Sequence, residues 1–332
     1  MVKVEYRNGL VVGVEDRSIV FDPVGKVNEG NLVMISHAHS DHINGVRNGD
    51  GLTLVLSPAT MDIIVSKTRK FYRNIDVIEP NGFKKYDSVL VEAYNAGHVL
   101  GSLQFLLELY NLRVGYTGDF NIYGSLVDEP ATVMKDLDIL IIESTYGRPD
   151  YVFPHRSFIY ERILSWVAEN IKEGYSVVIG VYPLGKAQEL TYLFNREFGG
   201  VIVTESVYRI NEIFDKHKFK LNYKSIEDNM RSVIDGGEIV ISSTSEVSRI
   251  INMVRLGMRG KVVGAVCTGW SLNYYNSNGL TYFPLSSHSD FKGLLKYVEE
   301  ANPRMVYTVY GFASEFASYI ERKLNIKAKP LG

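Results

Sequence analysis

Leu32-Val33-Met34-Ile35-Ser36-His37-Ala38-His39-Ser40-Asp41-His42 runs from a continuous apolar stretch straight into three imidazoles and a carboxylate. A short apolar run of this kind reads as a buried strand, and the polar residues then form the loop that leaves it. Neutral imidazole and carboxylate are the side chains that bind zinc and similar divalent ions. His37 and His39 are two apart, so in extended chain they point to one side. Asp41 and His42 can start the next helix and serve an adjacent position, so one run can supply two metal ions. The plainer alternative is a polar loop that happens to be rich in histidine. Against it, the chain has 7 histidines and three of them fall in this one run.

Two positions further along extend the set. His98 lies in Ala96-Gly97-His98-Val99-Leu100-Gly101-Ser102, a glycine-flanked turn between apolar runs, and Asp119 lies in Tyr116-Thr117-Gly118-Asp119-Phe120, just after another. Taken singly, a turn histidine is usually structural and a Gly-Asp after a strand is often a turn. Downstream of the first cluster they gain weight, because a carboxylate between two ions can bridge them and a further histidine can fill the first position. Asp22, in Phe21-Asp22-Pro23, ends an early strand. It reads as an acceptor that orients a ligand histidine or as a turn-capping aspartate.

The order Asp22, then His37-X-His39-X-Asp41-His42, then His98, then Asp119 resembles the four motifs of the metallo-β-lactamase superfamily. The resemblance implies two Zn2+ positions, one taken by His37, His39 and His98 and the other by Asp41 and His42, with Asp119 bridging. Mn2+ is an alternative ion. Glu143, in Ile142-Glu143-Ser144-Thr145-Tyr146-Gly147, resembles the acidic motif of the β-CASP nucleases. Leu184-Gly185-Lys186-Ala187-Gln188-Glu189-Leu190 is similar to the opening of their inserted cap domain, and His288, in Ser286-Ser287-His288-Ser289-Asp290, to their second extra motif. Together with Gly269-Trp270, the pattern is nearest to bacterial ligase-associated DNA exonucleases. It is also similar to the pre-mRNA 3′-end processing endonucleases of archaea and eukaryotes. One position departs from the latter: Thr308-Val309-Tyr310-Gly311-Phe312 carries Tyr310 where the RNA-processing relatives have a histidine for the second metal. A neutral tyrosine, with a usual pKa of about 10, is a poor zinc ligand, so the second ion should bind more weakly.

The implied fold is α/β (α+β): an αββα metallo-β-lactamase sandwich formed by residues 1–160 and 281–332, with residues 161–280 inserted as a β-CASP cap of βαβ units. The chain's own patterning agrees. Short β-runs separated by Gly, Asn and Asp fill the first 120 residues, interrupted by one helical stretch at 59–69. Strands then alternate with helical patterns at 158–172, 186–198, 208–216 and 246–256, as a parallel sheet requires. Helices follow at 290–300 and 313–324.

The 332 residues are 45% hydrophobic and 22% charged, with a formal net charge of −2, so no global basic field marks a nucleic-acid partner. A local patch would have to meet one: Lys67, Arg69, Lys70 and Arg73, or Lys84-Lys85, or Lys216, Lys218 and Lys220, each of which is otherwise a solvated face. The single cysteine, Cys267, fits a reducing cytosol. No apolar run approaches the ~20 residues of a membrane span, and the expected location is the cytoplasm.

These features predict a metal-dependent nuclease acting on DNA, an exonuclease in DNA repair or processing, with RNA processing as the alternative substrate and repair or RNA-processing proteins as candidate partners. Asp41 would orient or deprotonate the attacking water as well as bind metal. Glu143 and His288 join it as catalytic candidates, with His288 binding the scissile phosphate and protonating the departing oxygen; a helix-capping histidine is the alternative. Gly185 and Lys186 open a helix after a strand, where backbone N–H groups favour phosphate, and Tyr310 could pack against a sugar or base. Most of the 22 tyrosines read as core or surface filler, and only Tyr146 and Tyr182, beside motifs, are worth testing for base stacking, while His155 and His217 read as surface residues. The rivals are a hydrolase of small esters, thioesters or lactams on the same fold, and a nucleic-acid-binding subunit that has lost activity.

Overall fold

Apolar residues at alternate positions of successive strands assemble two sheets face to face. In the computed structural model, which describes residues 2–14, 17–27, 32–48, 52–69, 72, 74–257, 261–272, 276–277 and 279–331, the first sheet contains β1 (Val2–Arg7), β2 (Gly9–Val14), β3 (Arg17–Phe21), β4 (Leu32–Met34), β5 (Thr53–Leu56) and β6 (Ile75–Val77), in that spatial order. β1 to β3 are antiparallel hairpins, and β3 to β6 are parallel. Helices α1 (Ser40–Ile43) and α2 (Pro58–Thr68) lie in the parallel crossovers. The second sheet begins with β7 (Phe83–Tyr86), β8 (Val89–Asn95), β9 (Leu103–Leu109), β10 (Leu112–Tyr116) and β11 (Ile139–Glu143).

The chain then enters a second unit, residues 153–287. Here α3 (Arg156–Lys172), β12 (Ser176–Val181), α4 (Lys186–Phe198), β13 (Val201–Val203), α5 (Glu205–His217), β14 (Tyr223–Ser225), α6 (Ile226–Asp235), β15 (Ile239–Ser243), α7 (Val247–Leu256), β16 (Val262–Cys267), β17 (Asn276–Ser277) and β18 (Leu280–Phe283) build a sheet of order β14-β13-β15-β12-β16-β18-β17. It is parallel except at the β17–β18 edge. Val178, Ile202, Val240 and Val262, one from each of four neighbouring strands, share a buried cluster with Val233 of α6 and Val247, Ile250, Ile251 and Val254 of α7. The chain returns to the first unit at His288 with α8 (Phe291–Ala301), β19 (Met305–Val309), α9 (Ala313–Leu324) and β20 (Lys327–Pro330). β19 and β20 complete the second sheet, whose order is β20-β19-β11-β10-β9-β8-β7.

The first unit is therefore an αββα sandwich. Between its sheets lie Leu10, Val12, Ile19, Phe21, Met34 and Val55 from the first, and Val91, Phe105, Leu107, Val114, Tyr116, Ile141 and Val309 from the second. Phe21, Phe105 and Tyr116 are fully buried, with the Phe21 and Tyr116 rings 4.7 Å apart; each such side chain stabilises the fold by roughly 1.5–3 kcal/mol. The intervening residues Leu106, Leu140, Ile142 and Val306 face the other way and are covered by Phe291, Leu294, Tyr297 and Val298 of α8 and by Phe316 and Ile320 of α9. The facing sheet fills the inner side of β3 to β6, so their crossovers, with α1 and α2, cover the outer side.

The unit boundaries fall at 152/153 and 287/288, not at 160/161 and 280/281. α3 starts at Arg156, capped by His155, and so lies whole in the second unit. β6, β7, β14, β17, β18 and β20 escape sequence reading because each is only a few residues long, and α6 because charged and polar residues interrupt its apolar pattern. Among the described residues no helix is long and apolar enough to cross a membrane.

The basic clusters also change meaning. Lys84 lies in edge strand β7 and pairs with Asp76, which also accepts from Tyr86 Oη. Lys67 is exposed, and its Nζ donates to the Ala38 carbonyl at 2.7 Å. Lys70 and Arg73 lie outside the described residues. Lys216, Lys218 and Lys220 are exposed.

Candidate metal centre

Parallel strands end side by side, and the candidate residues sit at those ends. The pairings Phe21↔Met34, Tyr116↔Ile141 and Glu143↔Val309 place the carboxyl ends of β3, β4, β10, β11 and β19 at one edge of the sandwich. Residues Asp22, Ser36 to His42, Asp119, Glu143 and Tyr310 follow directly, and the β8–β9 turn adds His98. The two sheets are stitched here, with Leu103 N donating to Ser36 O at 2.8 Å. Gly118, at φ +53, lets the chain turn beside that stitch: a Cβ there would stand 2.6 Å from the Ser36 Cβ, so only glycine permits Asp119 to face the histidines.

Asp22 organises the first loop. Its Oδ1 accepts from Ser36 N at 2.7 Å, and its Oδ2 accepts from Ser36 Oγ at 2.6 Å, His42 Nδ1 at 2.8 Å and Tyr116 Oη at 2.6 Å. Four hydrogen bonds occupy the roughly four lone-pair sites of a carboxylate. Although Asp22, His37 and His42 stand close enough to look like a metal group, Asp22 is an orienting acceptor. Because Ser36 Oγ gives its one proton to Asp22, it accepts from His37 Nδ1 at 2.9 Å. His37 is thereby held as the Nδ1–H tautomer and presents its Nε2 lone pair, while His42, anchored through Nδ1, turns its Nε2 toward Asp119.

The ring nitrogens converge. His37 Nε2 lies 3.0 Å, and His98 Nε2 3.1 Å, from His39 Nδ1. Asp119 Oδ2 lies 3.3 Å from His42 Nε2, 3.6 Å from His37 Nε2, 3.8 Å from His98 Nε2 and 4.0 Å from His288 Nε2. Ligands 2.0–2.1 Å from a tetrahedral zinc stand about 3.3 Å apart, close to the spacing seen. His39 Nδ1 has at most one proton to give, so lone pairs face each other unless a cation lies among them. Burial, then the neighbouring His42, hold His37 well below the usual imidazole range, so it is neutral and ready to ligate. Burial opposes ionisation of Asp119, but His42 and His288 outweigh it and hold the carboxyl well below its usual range. For His42 burial is likewise overcome, by Asp119 and then Asp22, which raise it.

The second position is less enclosed. The Asp41 side chain is 80% exposed, with Oδ2 3.8 Å from His42 Nε2. It does not join the buried groups but faces outward near Lys67, whose ammonium it supports against the effect of burial. Tyr310 is neutral, its hydroxyl raised well above the usual range by burial. Its ring lies edge-on to His42, 5.3 Å between centroids, and its hydroxyl lies 3.2 Å from Tyr116 Oη. The hydroxyl is engaged inside the protein, which does not suit the sugar or base contact expected from sequence. Its φ of +62 is costly for a bulky residue, of order 1–3 kcal/mol, and is held by Ser144 Oγ donating to the Tyr310 carbonyl at 2.7 Å.

Glu143 is fully buried and accepts from Phe120 N at 3.0 Å and Thr145 N at 3.2 Å. Its Oε1 also lies 3.0 Å from His288 Nδ1, which turns His288 Nε2 toward Asp119. His288 does not cap α8; Asp290 does, accepting from Gly293 N at 2.8 Å. Tyr146 is buried, its ring edge-on to His288 at 5.9 Å.

The second unit holds Gly185 and Lys186. Gly185, at φ +95, turns the chain into α4, and its N–H is taken by Gln188 Oε1 at 2.8 Å; it is not the free donor expected. Lys186 is buried, 6% exposed, with Nζ 4.8 Å from the centroid of the exposed Tyr182 ring. Burial lowers its pKa to about 8, partly offset by Glu189. His155 is exposed. Ser36, Tyr116 and Lys67 were missed as site residues, because a serine, a tyrosine and a lysine carry no ligand signal of their own.

No protein-family model matches the chain. It is 28% identical over 304 residues to a protein of Opitutus terrae described as "Probable DNA ligase", covering 90% of this chain and 28% of that one. An RNase J-like protein of Methanocaldococcus jannaschii is 31% identical over 182 residues, covering 50% of this chain and 43% of the relative. The 5′ exonuclease Apollo of Gallus gallus is 26% identical over 317 residues, covering 94% and 65%. These relatives are members of the β-CASP family of the metallo-β-lactamase superfamily and match the resemblance carried by the motifs. The chain spans from about a quarter to just under two thirds of the length of these β-CASP relatives. A protein of unknown function from Enterococcus faecalis V583 shares the fold, with a TM-score of 0.66, 13% identity and 95% of each chain covered.

Proposed function

We propose that this protein is a metal-dependent phosphodiesterase that hydrolyses DNA, working as an exonuclease in the cytoplasm. The observation that carries the reading is the convergence of His37, His39 and His98 nitrogens beside Asp119. His37, His39, His98 and Asp119 would hold one zinc ion, and Asp41, His42 and Asp119 a second, weaker one that manganese can replace. Bound zinc supplies a water whose pKa falls to about 7 and neutralises charge on the phosphate oxygens. Asp119 Oδ2, central to four imidazoles, fits the shared ligand. Asp41, exposed beside the centre, orients the attacking water. His288 holds a proton at Nε2 for the departing oxygen, while Glu143, on Nδ1, acts as a positioning residue. DNA is favoured because the ligase-described and Apollo relatives align over 90% and 94% of this chain; RNA is the second reading, favoured by the RNase J-like relative.

The test is purified protein with metal content measured, incubated with single- and double-stranded DNA and RNA labelled separately at each end, with and without chelator. The expected result is at least one transition metal per chain and chelator-sensitive, stepwise loss of DNA ends. Cleavage of RNA with DNA left intact would replace the DNA reading, and full activity from metal-free protein would sink the whole proposal.

Lys186 is assigned to a substrate phosphate. An ammonium with a pKa of about 8 is charged below that pH and neutral above it, so its contribution is present at low pH and fades as pH rises. The kcat/KM profile, which reports free-enzyme groups, should carry a descending limb near pH 8 that moves to higher pH in Lys186→Arg. An unmoved limb removes Lys186 from substrate binding.

A further inference from the structure

Tyr116 is buried and Tyr310 partly buried, and their hydroxyls meet beside Asp22 although neither stands among the candidate metal ligands. Tyr116 Oη gives its one proton to Asp22 Oδ2, so in the 3.2 Å contact between the two phenols Tyr310 must be the donor. Burial keeps both phenols neutral. The protons thus run one way, from Tyr310 to Tyr116 to Asp22, and on the same Asp22 oxygen His42 Nδ1 donates at 2.8 Å. Tyr310 also closes the loop in space, its ring 5.3 Å from that of His42.

We propose that Tyr116 and Tyr310 are positioning residues for the second metal position, a two-hydroxyl relay that fixes Asp22 and so aims His42 Nε2. The proposal rests on the two-ion reading above, although not on which nucleic acid is cut. Where the resemblance to RNA-processing proteins calls for a histidine ligand, this chain places a residue that acts on the second ion through His42. Asp22 also orients the Ser36–His37 pair, but it does so through its own Oδ1 and the Ser36 hydroxyl. Loss of a tyrosine hydroxyl should therefore fall on the second position and spare the first.

The experiment is cobalt(II) titration of the metal-free full chain, followed by visible absorption, for wild type, Tyr116→Phe, Tyr310→Phe and the double variant. Removing an outer hydrogen-bond partner of a ligand histidine typically costs 10–100-fold in metal affinity. The second equivalent should weaken by about tenfold in Tyr310→Phe and by up to about a hundredfold in Tyr116→Phe. The first equivalent, unchanged, serves as the control for folding. The relay makes a sharper demand on the double variant. Tyr310 reaches Asp22 only through Tyr116, so the double variant should bind the second ion no more weakly than Tyr116→Phe alone. Additive losses, an unaffected second equivalent, or equal weakening of both equivalents would each overturn the relay. So would a wild type that binds one cobalt only. Absence of nuclease activity alongside two ordered cobalt equivalents would instead sink the functional reading and leave the relay standing.

Discussion

Asp119→Ala should lose turnover on DNA by about ten-thousandfold or more, the scale on which removing a member of a catalytic unit acts. Its Oδ2 lies within 4.0 Å of four imidazole nitrogens, so its loss strips a ligand from both positions and the negative charge that offsets both ions. Metal analysis should show less than one tightly held ion per chain, and excess zinc should not restore the rate. The substitution removes a buried charge rather than packing volume, so the sandwich should still melt cooperatively. His37→Ala should behave alike for the first ion, with the additional loss of the Ser36 contact. A folded Asp119→Ala protein that keeps two ions and near-wild-type turnover would refute the shared-ligand assignment.

His288→Ala should reduce turnover on ordinary phosphodiesters by about a thousandfold, within the 10²–10⁴ typical of a positioned proton donor, while metal content stays at the wild-type level. The diagnostic is the leaving group. A nitrophenyl phosphodiester releases an oxygen that needs no proton, so its turnover should fall far less. Glu143→Gln should show the same pattern more weakly, since its carboxylate meets His288 at Nδ1, 3.0 Å away, and is fully buried. Equal losses on both substrates would mean that His288 binds substrate or metal and does not deliver the proton.

Much of this centre is written in short runs. The 36–42 stretch displays its ligands because a strand and the first turn of a helix have fixed side-chain directions, so spacing alone tells which residues share a side. Asp22 and Asp119 were legible as strand-end positions, and Glu143 only through the resemblance to the β-CASP nucleases. The misreadings fall where direction is not local. Lys67 looked like one member of a solvated basic cluster, yet its ammonium, on an exposed side chain, is tied to the Ala38 carbonyl. Exposure is not local either: Asp41, proposed for the second ion, stands 80% exposed while His42 beside it is buried. Lys84 looked like part of a nucleic-acid patch, yet it is paired on an edge strand.

By itself the sequence determined the chemical identity of the donors, their order, the strand ends that carry them and the class of fold, because these follow from residue type and from periods of two and 3.6 residues. The tertiary structure alone decided which donors meet. His288 reaches Glu143 across 145 residues, and Tyr310 reaches Tyr116 across 194. Such meetings depend on the register of β10, β11 and β19 and on the packing of one sheet against another. A one-residue slip in register would turn every side chain to the opposite face, and no local pattern records that choice. The same register puts Tyr310, where a ligand was expected, beside Tyr116, whose hydroxyl donates to the Asp22 oxygen that also takes His42 Nδ1.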